Sequence, residues 1–185
     1  MKTEVLRIGS GIINSVAQLL HENKISGKIL YVSGPIVDGL YGSVVKEQIK
    51  SIGRLKEEYV DHNTIEYSMS IAERIIATDI DCIVGLGGGK VLDVCKYAAY
   101  ISKVPFLAIA TTMANDGLAS PIAVLKRKDN LPKSLGCAMP SMLIVDTKIM
   151  KDSPEKLLKQ VSETQSRIIW LCWTGSLQLP GTRTR

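Results

Sequence analysis

Long apolar runs and closely spaced cysteine pairs are both missing from this 185-residue sequence. No apolar stretch reaches the roughly 18 residues that a membrane-spanning helix needs, and the start MKTEVLRIGSG lacks the apolar segment of a signal peptide. The 4 cysteines lie far apart, so we expect buried, reduced thiols rather than a disulfide framework. These absences predict a cytoplasmic protein that does not insert into a membrane.

Aromatic residues are scarce, at 5% of the chain, and basic residues are in only small excess. The 23 Lys and Arg residues against 18 Asp and Glu give a net charge of +5, and these charges are scattered along the chain. This pattern argues against a dedicated nucleic-acid binder. A composition that is 45% hydrophobic and 22% charged is typical of a globular domain with a sizeable core.

Short β-branched runs alternate with amphipathic stretches over the first 110 residues. The predicted strands cover residues 4–8, 28–32, 54–60, 81–85 and 105–110, and the predicted helices cover residues 12–21, 41–51, 64–78 and 90–102. The third strand is the most polar, so we expect it at the edge of the sheet. The helix over 64–78 is expected to bury one face, made of Ile65, Met69, Ala72 and Ile76.

Two further strands are predicted after these units, in AVLKRK and SMLIVDT, separated by a loop that contains lysine and proline. Ser153-Pro154-Glu155 predicts the start of another helix, with Ser as the N-cap. Strands spaced by helices of this length predict a doubly wound α/β fold with a mainly parallel sheet, as in Rossmann-like nucleotide-binding domains. Ligands bind such sheets at the carboxyl ends of the strands, here in the loops after Val32, Val84 and Ala110.

The strongest local signal is GLGGGKVLDVCK, which places four glycines between a strand and a helix beginning near Lys90. Glycines allow a sharp turn and bring backbone N–H groups close to an anion at a helix N-terminus, so the segment favours phosphate binding. It is neither a P-loop, since Val91 stands where Ser or Thr would reach magnesium, nor a GxGxxG fingerprint. The alternatives are a tight turn, a solvated lysine at Lys90 and a favourable first-turn charge at Asp93.

The second candidate segment is ATTMANDGLASP, directly after a predicted strand. It offers hydroxyl, amide and carboxylate groups, in Thr111, Thr112, Asn115, Asp116 and Ser120, although a capped turn explains the composition equally well. A third segment, VSGPIVDG, places Ser33 and Gly34 after an early strand, with Asp38 a few residues on. A contact with the nucleotide is one interpretation, but a plain loop is favoured for each of them. His21 and His62 have no partner at metal-ligand spacing and are predicted at the surface.

Two motifs, GLGGGKVLDVCKYAAYISKVPFLAIATT and the DGLASP that follows, make residues 8–159 resemble the iron-containing alcohol dehydrogenase and dehydroquinate synthase superfamily. DGLASP resembles its sn-glycerol-1-phosphate dehydrogenase branch in particular. The resemblance implies that the cofactor NAD or NADP contacts Gly87, Gly88, Gly89, Lys90, Asp93, Thr111, Thr112, Ala114 and Ser120. It also implies that Asp116 contacts the polyol substrate, while Ala114 and Asn115 depart from the Ser and His that are commoner in the branch.

The resemblance implies a zinc or iron ion in the full-length enzymes, bound by an aspartate and two histidines that this sequence does not contain. Residues 160–185 include both tryptophans and no Lys, Asp or Ala. Read one nucleotide out of frame, residues 159–178 can encode AGIGDTISNYMALLDWELA, which is what the family would continue with. We therefore expect residues 1–159 to form the NAD(P)-binding domain and 160–185 to be an out-of-frame tail in place of a helical second domain, the alternative being a short paralogue with its own C-terminus.

The function that the resemblance implies is metal-assisted hydride transfer between NAD(P) and a polyol phosphate, such as glycerol 1-phosphate or dihydroxyacetone phosphate. A cyclase like dehydroquinate synthase and an inactive nucleotide-binding fragment are the alternatives. The expected partner is a small-molecule substrate and not a nucleic acid. Apolar surface left uncovered by a missing domain leaves self-association into a homo-oligomer open.

Overall fold

The computed structural model describes residues 5–112 and 120–151, which form eight strands and the helices between them. The strands are β1 (Val5–Gly9), β2 (Gly27–Ser33), β3 (Gly53–Tyr59), β4 (Cys82–Gly87), β5 (Phe106–Ala110), β6 (Ile122–Lys126), β7 (Pro132–Gly136) and β8 (Met142–Asp146). The helices are α1 (Val16–Glu22), α2 (Pro35–Val37), α3 (Ser43–Ile52), α4 (Ile65–Ala77), α5 (Gly89–Ser102) and α6 (Thr147–Lys151). A 3-10 turn, Ile12–Ser15, precedes α1, and a π-helical turn, Asp38–Gly42, joins α2 to α3.

Six strands form one parallel sheet in the order β1-β8-β5-β4-β2-β3, while β6 and β7 form a separate antiparallel hairpin. The predicted doubly wound α/β class is therefore confirmed. The polar strand β3 lies at one edge, as expected from residues 54–60. Strands β4, β5 and β8 lie inside the sheet and are buried along their whole length, which explains why their sequences are continuous apolar runs.

Side chains on each central strand alternate between two hydrophobic cores, one on each face of the sheet. In β4, Val84 packs with α1 and α3, whereas Ile83 packs with α4 and α5. The hairpin covers the second face, where Leu125 is completely buried. Helices thus cover the sheet on both sides, as predicted.

The prediction for the buried face of α4 was wrong at two positions. Met69 and Ile76 are 45% and 61% exposed, and the buried residues are Ser68, Ile71, Ala72 and Ile75. The buried residues lie at positions i, i+3, i+4 and i+7 of one helix face, and the first of them is a serine. Ser68 tolerates burial because its hydroxyl donates to the carbonyl of Thr64 at 3.1 Å.

The loop predicted between AVLKRK and SMLIVDT contains the strand β7, which the sequence pattern did not indicate. Its residues PKSLG have low β propensity, so the strand is stabilised by its pairing with β6 and not by local preference. The helix predicted from Ser153 lies outside the described residues, as does the predicted tail. His21 and His62 are exposed, which confirms their predicted surface position.

Candidate nucleotide-binding site

A crevice is expected between the carboxyl ends of β2 and β4, where the direction of the chain connections changes. The chain leaves β2 for α3 on one face of the sheet and leaves β4 for α5 on the other. Ser33 ends β2, is completely buried, and donates its hydroxyl to the carbonyl oxygen of Leu86 at 2.8 Å. Ligands of open α/β sheets bind at such switch points. The glycine-rich segment therefore lies where the fold itself predicts a ligand.

The strand before the glycine-rich loop was predicted to end two residues too early, because β4 continues through Gly87. Helix α5 begins at Gly89, close to the predicted start near Lys90. The described glycines with positive φ are Gly11 and Gly27, so the motif does not require left-handed backbone. It requires space instead. A Cβ at Gly85 would lie 3.0 Å from the Cys95 sulfur, and one at Gly87 would lie 2.8 Å from Cβ of Val91. These two glycines allow α5 to pack closely on β4.

The N-terminus of α5 is open to an anion. Gly88 occupies the N-cap position in an extended conformation and no side chain caps the helix, so its first N–H groups are not satisfied by a capping group. A Cβ on Gly88 would lie 2.9 Å from Oγ1 of Thr112, which leaves bare backbone facing the threonine. Uncapped N–H groups and the helix dipole together favour a phosphate at this position.

Thr111 supplies a second, independent indication of a ligand. Its N–H donates to the carbonyl of Gly87 at 3.0 Å, which fixes the residue beside the glycine segment. The Thr111 residue is 5% exposed, and its Oγ1 has no hydrogen-bond partner in the described part of the chain. Leaving a buried hydroxyl unpaired costs about 1–3 kcal/mol. A ligand group that pairs with this hydroxyl would remove that cost, so the residues fit a bound phosphate-containing cofactor.

The remaining residues predicted to contact the cofactor belong to the first turns of α5 or to the segment that follows β5. Thr112 and Ser120 are half-buried and lie on either side of residues 113–119. Ala114 and Asp116 fall within that segment, outside the described residues. Lys90 is exposed in the first turn of α5, and its ammonium donates to the backbone carbonyl of Asp61, in the turn after β3. It is therefore an exposed first-turn lysine that contacts a neighbouring loop, and its contact with the cofactor stays a prediction.

Asp93 occupies a different environment from the one expected. It is 4% exposed and forms a buried ion pair with Lys96, which is 2% exposed, at 3.6 Å. Both side chains also contact β6: Asp93 accepts from the N–H of Val124 at 3.2 Å, and Lys96 donates to the carbonyl of Ile122 at 3.0 Å. Burial raises the pKa of Asp93, although Lys96 opposes the rise. The first turn of α5 contains no acidic residue, so the alternative of a first-turn charge was wrong, and a cofactor contact of Asp93 stays a prediction.

A polar cluster around Asp38 was not recognised in the sequence as more than a loop. One carboxylate oxygen of Asp38 accepts from Tyr31 at 2.9 Å, and the other accepts from Lys46 at 3.0 Å and from Tyr59 at 3.1 Å. Burial alone would raise the pKa of Asp38, but these hydrogen bonds outweigh it and lower the pKa. The partners come from β2, β3 and α3, so no local sequence signal could have revealed the cluster.

Residues 5–112 and 120–151 contain no group of three His, Cys, Asp or Glu side chains that could hold a metal ion. The metal site of the resembled enzymes therefore finds no fit in this part of the chain. In the same residues, no helix combines the length and the apolar character needed to cross a membrane.

The sequence is similar to known dehydrogenases. A family model described as iron-containing alcohol dehydrogenase matches residues 7–154. A glycerol-1-phosphate dehydrogenase (NAD(P)+) of Metallosphaera sedula is 28% identical over 163 residues, covering 88% of this chain and 46% of the relative. The enzyme of the same name from Thermofilum pendens is 32% identical over 150 residues, covering 80% of this chain and 42% of the relative. The chain thus spans somewhat less than half the length of these relatives.

Solved structures share the fold. NADH-dependent butanol dehydrogenase A from Thermotoga maritima superposes with a TM-score of 0.75 at 17% identity, covering 85% of this chain and 46% of that one. Glycerol dehydrogenase from Schizosaccharomyces pombe superposes with a TM-score of 0.72 at 17% identity, covering 86% of this chain and 42% of that one. At these identities the likeness concerns the fold alone.

Proposed function

The chain belongs to the iron-containing alcohol dehydrogenase family, and we propose that residues 1–159 bind NAD(P) for hydride transfer to or from a polyol phosphate. The observation that carries the proposal is the uncapped N-terminus of α5 beside the unpaired, buried hydroxyl of Thr111. The names of the relatives from Metallosphaera sedula and Thermofilum pendens support glycerol 1-phosphate, and its oxidation product dihydroxyacetone phosphate, as the substrate pair.

In this proposal, the backbone of Gly88 and the first N–H groups of α5 bind the pyrophosphate. When bound, the cofactor would supply the nicotinamide ring that accepts or donates the hydride. The hydroxyl of Thr111 pairs with the cofactor, and Thr112 and Ser120 line its nicotinamide side. Asp116 binds the hydroxyl groups of the substrate. Burial of Thr111 excludes water from one wall of the site, so its hydrogen bond to the cofactor forms without competition from solvent.

The segment DGLASP, residues 116–121, favours the dehydrogenase over a cyclase of the dehydroquinate synthase type. Adding glycerol 1-phosphate with NAD(P)+, and dihydroxyacetone phosphate with NAD(P)H, tests this choice, each with and without zinc. Reduced nicotinamide is followed by its absorbance. A chain that binds the cofactor but gives no turnover in any of these mixtures would support a nucleotide-binding fragment instead.

Cofactor binding is tested separately by titrating the 185-residue chain with NADH and NADPH and following nicotinamide fluorescence. Gly88→Val is expected to abolish binding, because a side chain there would occupy the space between the backbone and Thr112. Gly136→Val is the matched control, since a Cβ on Gly136 meets nothing within 4 Å. Absence of binding by the unmodified chain, or unchanged binding by Gly88→Val, would refute the proposed site.

A further inference from the structure

We infer that Lys90 binds the 2′-phosphate of NADP and so gives this site a preference for NADP over NAD. The inference rests on the proposed dinucleotide binding and deepens it by choosing between the two cofactors. Two observations support it: the ammonium of Lys90 contacts the turn after β3, and the carboxylate of Asp38, in the segment after β2, is already paired.

The two sides of the α5 N-terminus differ in what they offer a dinucleotide. Thr111 follows β5 on one side, where the nicotinamide is proposed to lie. On the other side are the ends of β2 and β3, which leaves the adenosine half of the cofactor to that side. Neighbouring strands are about 4.8 Å apart, so β3 lies roughly 10 Å from β4, within the span of an adenosine that starts at the pyrophosphate.

Lys90 points to the adenosine side. Its ammonium donates to the carbonyl of Asp61, in the turn that follows β3. That turn starts beside the end of β2, because the N–H of Val60 donates to the carbonyl of Ser33 at 2.9 Å. Lys90 therefore bridges the phosphate-binding helix and the loop under which the adenosine ribose would lie.

In dinucleotide-binding folds, a carboxylate at the end of the neighbouring strand binds the 2′-hydroxyl of NAD, whereas a cation accommodates the 2′-phosphate of NADP. Here β2 ends in Ser33 and Gly34, and the first acid after them, Asp38, has both oxygens paired with Tyr31, Tyr59 and a lysine. That lysine, Lys46, forms an ion pair with Asp38 and so balances the negative charge of the carboxylate. The segment after β2 thus offers no free carboxylate to a ribose diol. Lys90 offers a cation, next to the exposed acid Asp61 in the turn after β3.

The current partner of Lys90 is one that a phosphate can replace. A backbone carbonyl is a neutral acceptor, whereas a phosphate oxygen carries negative charge, so replacing the carbonyl by a phosphate adds a Coulombic attraction to the hydrogen bond. Because Lys90 is exposed, the gain is screened by salt. NADPH affinity should therefore fall more steeply than NADH affinity as the salt concentration rises.

The experiment compares dissociation constants of NADPH and NADH for the 185-residue chain, measured by nicotinamide fluorescence. Adenosine 2′,5′-bisphosphate and AMP serve as competing probes that lack the nicotinamide. Lys90→Met is expected to weaken NADPH and adenosine 2′,5′-bisphosphate about tenfold while changing NADH and AMP by less than about twofold. Lys90→Arg keeps the cation and should retain most of the preference.

Lys103→Met is the matched control, because Lys103 is an exposed lysine that caps the opposite end of the same helix. It should leave every affinity unchanged, and thermal melts of both variants confirm that they are folded. Equal losses of NADPH and NADH in Lys90→Met would assign Lys90 to the pyrophosphate and overturn the inference. Unchanged NADPH binding would overturn it as well. An unmodified chain that binds neither dinucleotide would refute the proposed function itself.

Discussion

Gly87→Ala is expected to destabilise the chain, because the added methyl group has no room between β4 and α5. Its Cβ would lie 2.8 Å from Cβ of Val91, 2.9 Å from Cγ2 and 3.2 Å from Cγ1. Carbon atoms in contact prefer about 3.5–4.0 Å, so the first turn of α5 would have to move by roughly 0.7 Å or more. Val91 is β-branched and buried, and cannot rotate its Cβ away. Overpacking of this kind costs about 1–3 kcal/mol.

Urea unfolding followed by circular dichroism measures the change in free energy. Gly39→Ala is the control, because its Cβ would meet nothing within 4 Å, and it should be neutral or slightly stabilising. Val91→Ala removes Cγ1 and Cγ2, two of the three close contacts, and keeps Cβ. The double variant should therefore be more stable than the sum of the single effects by about 1 kcal/mol. A Gly87→Ala chain as stable as the unmodified one, or additive effects in the double variant, would refute the argument.

Three further outcomes follow from buried polar groups. Asp146→Ala should lower the free energy of unfolding by at least about 3 kcal/mol, because this fully buried carboxylate accepts hydrogen bonds from three backbone N–H groups. A loss of less than about 1 kcal/mol would contradict this prediction. Because the pKa of Asp38 is lowered below 3.8, its stabilising contribution is present above that pH and lost as the pH falls through its folded pKa. The stability gap between the unmodified chain and Asp38→Asn should therefore shrink in urea titrations from pH 5 to pH 3. Burial raises the pKa of Cys82 to about 12 and also raises the pKa of Cys95. Native chains at pH 8 should therefore not react with a thiol reagent at Cys82 or Cys95, whereas urea-unfolded chains should react at both.

Sequence periodicity predicted the sheet well where a single physical effect determines the pattern. The interior strand β4 is apolar throughout because both of its faces are covered, and the edge strand β3 is polar because much of it is exposed. The face of α4 was less predictable, because Met69 and Ile76 are apolar yet exposed, and Ser68 is buried with an internal partner. A hydrophobicity pattern does not reveal a buried hydroxyl, such as that of Ser68, which donates to a backbone carbonyl one turn earlier.

The candidate site was predictable in position but not in its contacts. The glycine-rich segment indicated a strand-to-helix junction, and the structure places that junction beside the switch point of the sheet. The partners of Asp93 were not predictable beyond the i,i+3 spacing of Lys96, because the other contacts are backbone groups of β6. Contacts of this kind depend on the tertiary fold and leave no local pattern.

Helix α5 organises both halves of the proposed site. Its N-terminus faces the proposed phosphate position, and the strand before it holds Thr111 through the carbonyl of Gly87. The buried pair Asp93 and Lys96 binds the backbone of β6, the strand that begins shortly after residues 113–119. The flank before that segment is therefore fixed to β4, and the flank after it is fixed to α5. A shift of α5 would displace the proposed phosphate position together with β6, the strand that follows the proposed substrate segment, which gives a physical reason for the small residues where α5 meets β4.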